Sequence, residues 1–144
     1  MSSFLDTLFA DCKPEFKASY THWSPEMRII FERTQRLIME ECIGSSSYCR
    51  EIPDWRFAYK YVYCRLLPKP KKNPRRFDVY LTVYKNHRLE GSGQIKLSEP
   101  YCPDPKNPNK LRQTFVLTTI NELDDSIRCI KNAYLHMKFD RVDK

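Results

Sequence analysis

Glycine is scarce in this chain: three residues in 144, at positions 44, 91 and 93. Loops that cradle phosphate on backbone N–H groups need several glycines at fixed offsets, and the "GSG" at 91–93 leads into neither a P-loop lysine nor a dinucleotide fingerprint. G-x-S-x-G, H-E-x-x-H and calcium-loop patterns are missing as well. His22, His87 and His136 fall in separate segments, each without a nucleophile nearby in sequence. Cysteines stand at 12, 42, 49, 64, 102 and 129 without a C-x-x-C, so the close pairs that announce a structural zinc are absent. The expectation is a protein with no catalytic residues, no metal and no cofactor. No apolar run approaches the length of a membrane span, and the first residues, "MSSFLDTLFADCKPEF", have no basic region ahead of an apolar one. Those two absences point away from secretion and from the membrane, toward the nucleus or cytoplasm, where the cysteines would stay reduced.

What is present is the balance of a folded chain: 41% hydrophobic, 30% charged and 13% aromatic residues. A single α+β domain is expected, with residues 1–23 as an N-terminal extension and 24–140 as the core. In the extension, Phe4, Leu5, Leu8 and Phe9 suggest a short helical turn, followed by a loop at Pro14. Ser24 can cap a long helix that starts at Pro25, and Met27, Ile30, Phe31, Thr34, Leu37 and Ile38 keep helical spacing up to the stop at Gly44. Residues 55–66 alternate as one long strand, and "RRFDVYLTVYK" is a second with Phe77, Val79, Leu81 and Val83 on one side. "LEGSGQIKL" reads as a third strand and "RQTFVLTT" as a fourth, separated by residues 98–111, whose four prolines rule out regular structure. A capping box, Thr119 with Glu122, opens a last helix through Leu123, Ile127, Ile130, Tyr134 and Met137. The expected order is α-β-β-β-β-α: a four-stranded, mainly antiparallel sheet with two long helices on one face.

The net charge of +7 is local. Residues 56–76 hold Arg56, Lys60, Arg65, Lys69, Lys71, Lys72, Arg75 and Arg76 and no acid, so the rest of the chain carries −1. In the same stretch Trp55, Phe57, Tyr59, Tyr61 and Tyr63 recur at every second position, opposite Arg56 and Lys60. Burying a lysine in mid-strand costs several kcal/mol, whereas burying a Trp or Phe gains about 2 kcal/mol. The aromatic stripe is therefore assigned to the core, under the helices. The other sheet face then presents Arg56, Lys60, Tyr80, Thr82 and Tyr84, with Gln94 and Lys96, beside the loop Lys69–Arg76.

Two partial resemblances accompany this reading. The segment "PRRFDVYLTVYKNHRLEGSGQIK" resembles the strand region of double-stranded-RNA-binding domains, where an F-x-V-x-V strand and a turn lead to a G-x-G strand. The family's last helix opens with lysines; here it opens with acidic "NELDD", which would repel phosphate. The order helix, strand meander, proline-rich segment, helix resembles RWD-like and inactive ubiquitin-conjugating-like adaptors, with "EPYCPDP" similar to their tyrosine–proline turn.

The functional expectation is a non-catalytic binding module for nucleic acid, RNA before DNA. Lys69, Lys71, Lys72, Arg75 and Arg76 would meet phosphates, with Arg56, Lys60, Tyr80 and Tyr84 as the adjoining face. The alternative is an adaptor or complex subunit that meets a protein partner or a second copy of itself through Phe4, Leu5, Leu8, Phe9, Trp23 and Tyr101. In that case "KPKKNPRR" would serve as a nuclear import signal.

Overall fold

The computed structural model describes residues 9, 10, 12, 14–51 and 54–140. Its first element, α1 (Pro14–Tyr20), stands where a loop was expected: Pro14 occupies the first helical turn, where its missing N–H costs nothing. The expected helical turn at Phe4–Phe9 lies outside the described residues except for Phe9. Helix α2 (Pro25–Glu41) starts where Ser24 caps it, its Oγ accepting from the Met27 N–H at 3.2 Å. Met27, Ile30, Phe31, Thr34, Gln35 and Ile38 form its buried stripe. It closes with the Cys42 N–H on the Ile38 carbonyl, and Gly44 turns the chain at φ 87°.

The sheet has five strands, not four, all antiparallel and in chain order: β1 (Ser46–Glu51), β2 (Asp54–Tyr59), β3 (Tyr61–Lys69), β4 (Arg76–Tyr84) and β5 (Lys110–Leu117). Three departures from the expected order explain the count. The "SSSYCRE" segment, taken as a helix stop, forms the edge strand β1. The presumed single strand 55–66 is a hairpin: Lys60 sits at its apex with φ 65°, and Tyr59 pairs with Tyr61. "LEGSGQIKL" is no strand but part of an excursion between β4 and β5, with a single bridge from Ser92 to Ile95.

The hairpin revises the aromatic stripe without overturning its assignment. Trp55, Phe57 and Tyr63 are fully buried, Tyr59 is half-buried, and Tyr61 beside the apex is 50% exposed. The register shifts at Phe57/Ala58, so that Tyr63 and Cys64 both turn inward. Phe77, Val79, Leu81 and Val83 are buried as expected. Over this inner face lie α2 and α3 (Leu123–Leu135), the latter preceded by a 3-10 turn in which Glu122 accepts from the Thr118 and Thr119 N–H groups. At one end of the core Phe9, Phe16 and Trp23 join Phe31, Trp55 and Phe77, with Phe16 and Trp55 ring centroids 5.2 Å apart and Trp23 and Phe77 5.5 Å apart.

One buried side chain clamps the excursion 85–109 to the sheet, and Ser98 adds two hydrogen bonds to Thr114. Gln113 Nε2 donates to the carbonyls of Leu89 and Ser98, both at 3.0 Å, and its Oε1 accepts from the Leu89 N–H at 2.7 Å. Farther along, Tyr101 and Arg112 exchange backbone hydrogen bonds and extend the sheet beyond β5. No helix among the described residues is long and apolar enough to cross a membrane.

Candidate nucleic-acid interface

Strand alternation decides what the outer sheet face carries. With Trp55 paired to Leu66 and Leu66 to Val79 on the inside, Arg56, Arg65 and Tyr80 line up across β2, β3 and β4 on the outside. On β5, burial of Leu117, Phe115 and Gln113 sends Lys110, Arg112, Thr114 and Val116 outward. No described helix covers this face.

Its centre is cationic. Asp54, only 5% exposed, takes both arginines of the Arg56–Arg65 pair. Arg56 donates to its Oδ2 from Nε at 3.0 Å and Nη2 at 2.8 Å, and Arg65 reaches Oδ1 at 3.2 Å and Oδ2 at 2.9 Å. The Tyr80 ring is flanked from both neighbouring strands, by Arg112 with its guanidinium carbon 4.4 Å from the centroid and by Arg65 at 5.5 Å. Among the described residues no ion pair reaches Lys110 or Arg112. Burial, then the charges of Arg56, Arg112 and Arg65, hold the Lys110 ammonium below its ordinary pKa, with Asp104 opposing weakly.

Two recesses adjoin on this face, and another lies at the β3–β4 hairpin. At the β3–β4 hairpin, His22, Lys71, Lys72, Asn73 and Arg75 line an open groove of about 650 Å³. Arg76, next in sequence, begins a trough of about 780 Å³ that passes Asp78, Tyr80, Lys96, Tyr101 and Thr114. Tyr80 is shared with a third, smaller cavity of about 110 Å³, bounded by Arg56, Arg65, Lys110, Arg112 and Pro103.

The residues singled out from the sequence are thus distributed unevenly. Lys71, Lys72 and Arg75 are exposed on the hairpin; Lys69 and Arg76, half-buried, pair across its base, and Arg76 is bound to Asp78 at 3.0 Å. Arg56 and Tyr80 lie together at the centre of the face. Lys60 does not join them: it caps the β2–β3 hairpin, at the opposite end of β3 from Lys69. Tyr84 ends β4 opposite Lys110, with its ring 5.9 Å from that of His136. Among the residues read as a partner-binding patch, Phe9 and Trp23 are core, 8% and 3% exposed, because α1 folds their rings onto Phe31 and Trp55. Tyr101 is 43% exposed; Phe4, Leu5 and Leu8 lie outside the described residues.

Sequence reasoning missed Asp54, Lys110 and Arg112 and left Arg65 in the charge count without a place. The signal was present: Lys110 and Arg112 share the parity opposite to Phe115 and Leu117. Arg65 becomes Arg56's neighbour only once the hairpin at Lys60 is known. No protein-family model, curated protein or solved structure matches the chain.

Proposed function

We propose that the protein is a non-catalytic module that binds single-stranded RNA along the outer sheet face and the β3–β4 hairpin. The observation that carries this reading is the basic lining of the outer face. Tyr80 is common to the trough and the cationic cavity, and Arg76 at the start of the trough follows the exposed cations of the β3–β4 hairpin in sequence. A flexible polyanion can follow such a surface, with lysines and arginines meeting phosphates. Stacking has a smaller part in it than the sequence suggests, because the Tyr80 ring already has guanidinium groups against it.

The test is fluorescence anisotropy with single-stranded RNA, duplex RNA and duplex DNA at about 50 and about 200 mM salt. Single-stranded RNA binds tightest, with log K falling against log salt at a slope near −0.7 for each phosphate contacted. Replacing exposed Lys71, Lys72 and Arg75 together by Glu removes binding and leaves the melting temperature unchanged. Arg76 is spared because its loss would strand Asp78. Binding that ignores salt, or that survives the triple replacement, defeats the proposal.

A further inference from the structure

The small cavity beside Tyr80 differs in kind from the open groove and trough. It has about 110 Å³ of space, against about 650 and 780 Å³ in the groove and trough, and Val62, Pro103 and Leu111 form apolar walls. That is room for one compact group and not for a chain running through. Arg56, Arg65, Lys110 and Arg112 border it, and Asp54 offsets only one of those four charges. Asp54 is moreover occupied by Arg56 and Arg65, while among the described residues the Arg112 guanidinium has no ion pair and Lys110 has only the more distant charge of Asp104. Cations held this close with incomplete counter-charge repel one another, and a bound dianion would relieve that repulsion while accepting several charge-assisted hydrogen bonds.

We infer that this cavity is a receptor for a phosphomonoester, the terminal phosphate of an RNA strand lying in the adjoining trough. A terminal phosphate is compact and dianionic near neutral pH, whereas a phosphodiester carries one charge and has chain on both sides. The inference rests on the RNA reading above for its source of phosphate, but not for the site itself. Arg112, whose guanidinium lies against Tyr80 without an ion pair among the described residues, is the guanidinium available to the group, Arg65 adds charge while bound to Asp54, and Lys110 supplies an ammonium. Burial and its cationic neighbours lower the Lys110 pKa, and an arriving dianion raises it again.

The experiment compares one single-stranded RNA prepared with a 5′-phosphate, with a 3′-phosphate and with hydroxyls at both ends, by anisotropy on the full chain. One phosphorylated end strengthens binding by about tenfold or more, the equivalent of one or two hydrogen bonds to a charged group. Lys110→Gln and Arg112→Gln each abolish that preference, so that phosphorylated and hydroxyl-ended RNA bind alike to the variant whatever its overall affinity. Both variants keep or raise the melting temperature, since each removes a repelling charge. The Lys71, Lys72, Arg75 replacement weakens all three RNAs alike. Equal affinity for the three ends, with RNA still bound, overturns the inference and leaves the RNA reading standing. If no RNA binds but inorganic phosphate or a nucleoside monophosphate raises the melting temperature of wild type and not of Lys110→Gln, the site stands and the RNA reading falls. No response to any of these probes overturns both.

Discussion

Replacing Gln113 by leucine removes a buried side chain that ties the 85–109 excursion to the sheet by three hydrogen bonds. Leucine fills much of the same space, so the loss is one of polar pairing and not of volume. The Leu89 N–H and C=O are buried and would be left without partners, at about 1–3 kcal/mol each. The Ser98 carbonyl is partly exposed and can turn to water, so its loss counts for little. Extra apolar burial returns about 1 kcal/mol. The net cost is about 3 kcal/mol, or a fall of about 6–12 °C in Tm for a domain of this size. Urea and thermal unfolding measure the magnitude, and amide hydrogen exchange locates it: the Leu89 amide loses protection before those of β4. A variant that melts within a degree or so of wild type, with Leu89 still protected, would show that the excursion is held by something other than this clamp.

Three further outcomes follow from local chemistry. His136 is buried and accepts the Tyr84 N–H on Nε2 at 3.0 Å, and burial lowers its pKa below the ordinary value of 6.5. The folded state therefore binds this proton less readily than the unfolded chain; its contribution to stability is present above pH about 6.5 and is lost as the pH falls toward the lowered pKa. Urea midpoints at pH 7.5 and 5 detect this, and His136→Gln flattens that part of the dependence. Gly93 has φ +55°, and a Cβ there would lie 2.3 Å from the Asp125 carboxylate, so Gly93→Ala costs about 1–2 kcal/mol. Part of that cost disappears in an Asp125→Ala background, and simple additivity in the double-mutant cycle refutes the clash. Asp54→Asn leaves Arg56 and Arg65, each about one-quarter exposed, without their shared carboxylate, at about 1–2 kcal/mol. Because the cost is repulsion between partly solvated cations, it shrinks between about 0.01 M and about 1 M salt, and a salt-independent loss of Tm argues against it.

The two long helices and strand β4 were legible because their signals are local and redundant. Ser24 and Pro25 mark the start of α2, Glu122 the start of α3, and the alternation from Phe77 to Val83 needs no partner to be recognised. The β2–β3 hairpin was not legible, since its apex is Lys60 and a positive φ is announced in sequence by Gly or Asn, not by lysine. Missing that turn carried Lys60 onto the wrong part of the sheet and hid the pairing of Arg56 with Arg65. The strand assigned to residues 89–97 failed for another reason: its alternation reflects Leu89 and Ile95 packing into the core from an irregular segment pinned by Gln113. The basic hairpin could be read from charge alone, but the cationic cavity could not. Its members come from four strands and the excursion, and meet only through the full register of the sheet.

The two ends of the fold are fastened to each other. The Ile120 N–H meets Glu26, Lys131 meets Glu41 and the Tyr134 hydroxyl meets the Ile43 carbonyl, across 94, 90 and 91 positions of chain. Every ladder of the sheet, by contrast, joins strands that are consecutive along the chain. Cut at the β3–β4 hairpin, such a chain gives two fragments, each with strands able to pair locally but with one of the two long helices missing from its inner face. Trp55 and Phe57 would go with the first fragment and Phe77, Phe115 and Leu117 with the second, in each case half of an interior laid open. The molecule therefore has no smaller self-sufficient portion, and its two halves carry the complementary apolar surfaces that would draw them back together.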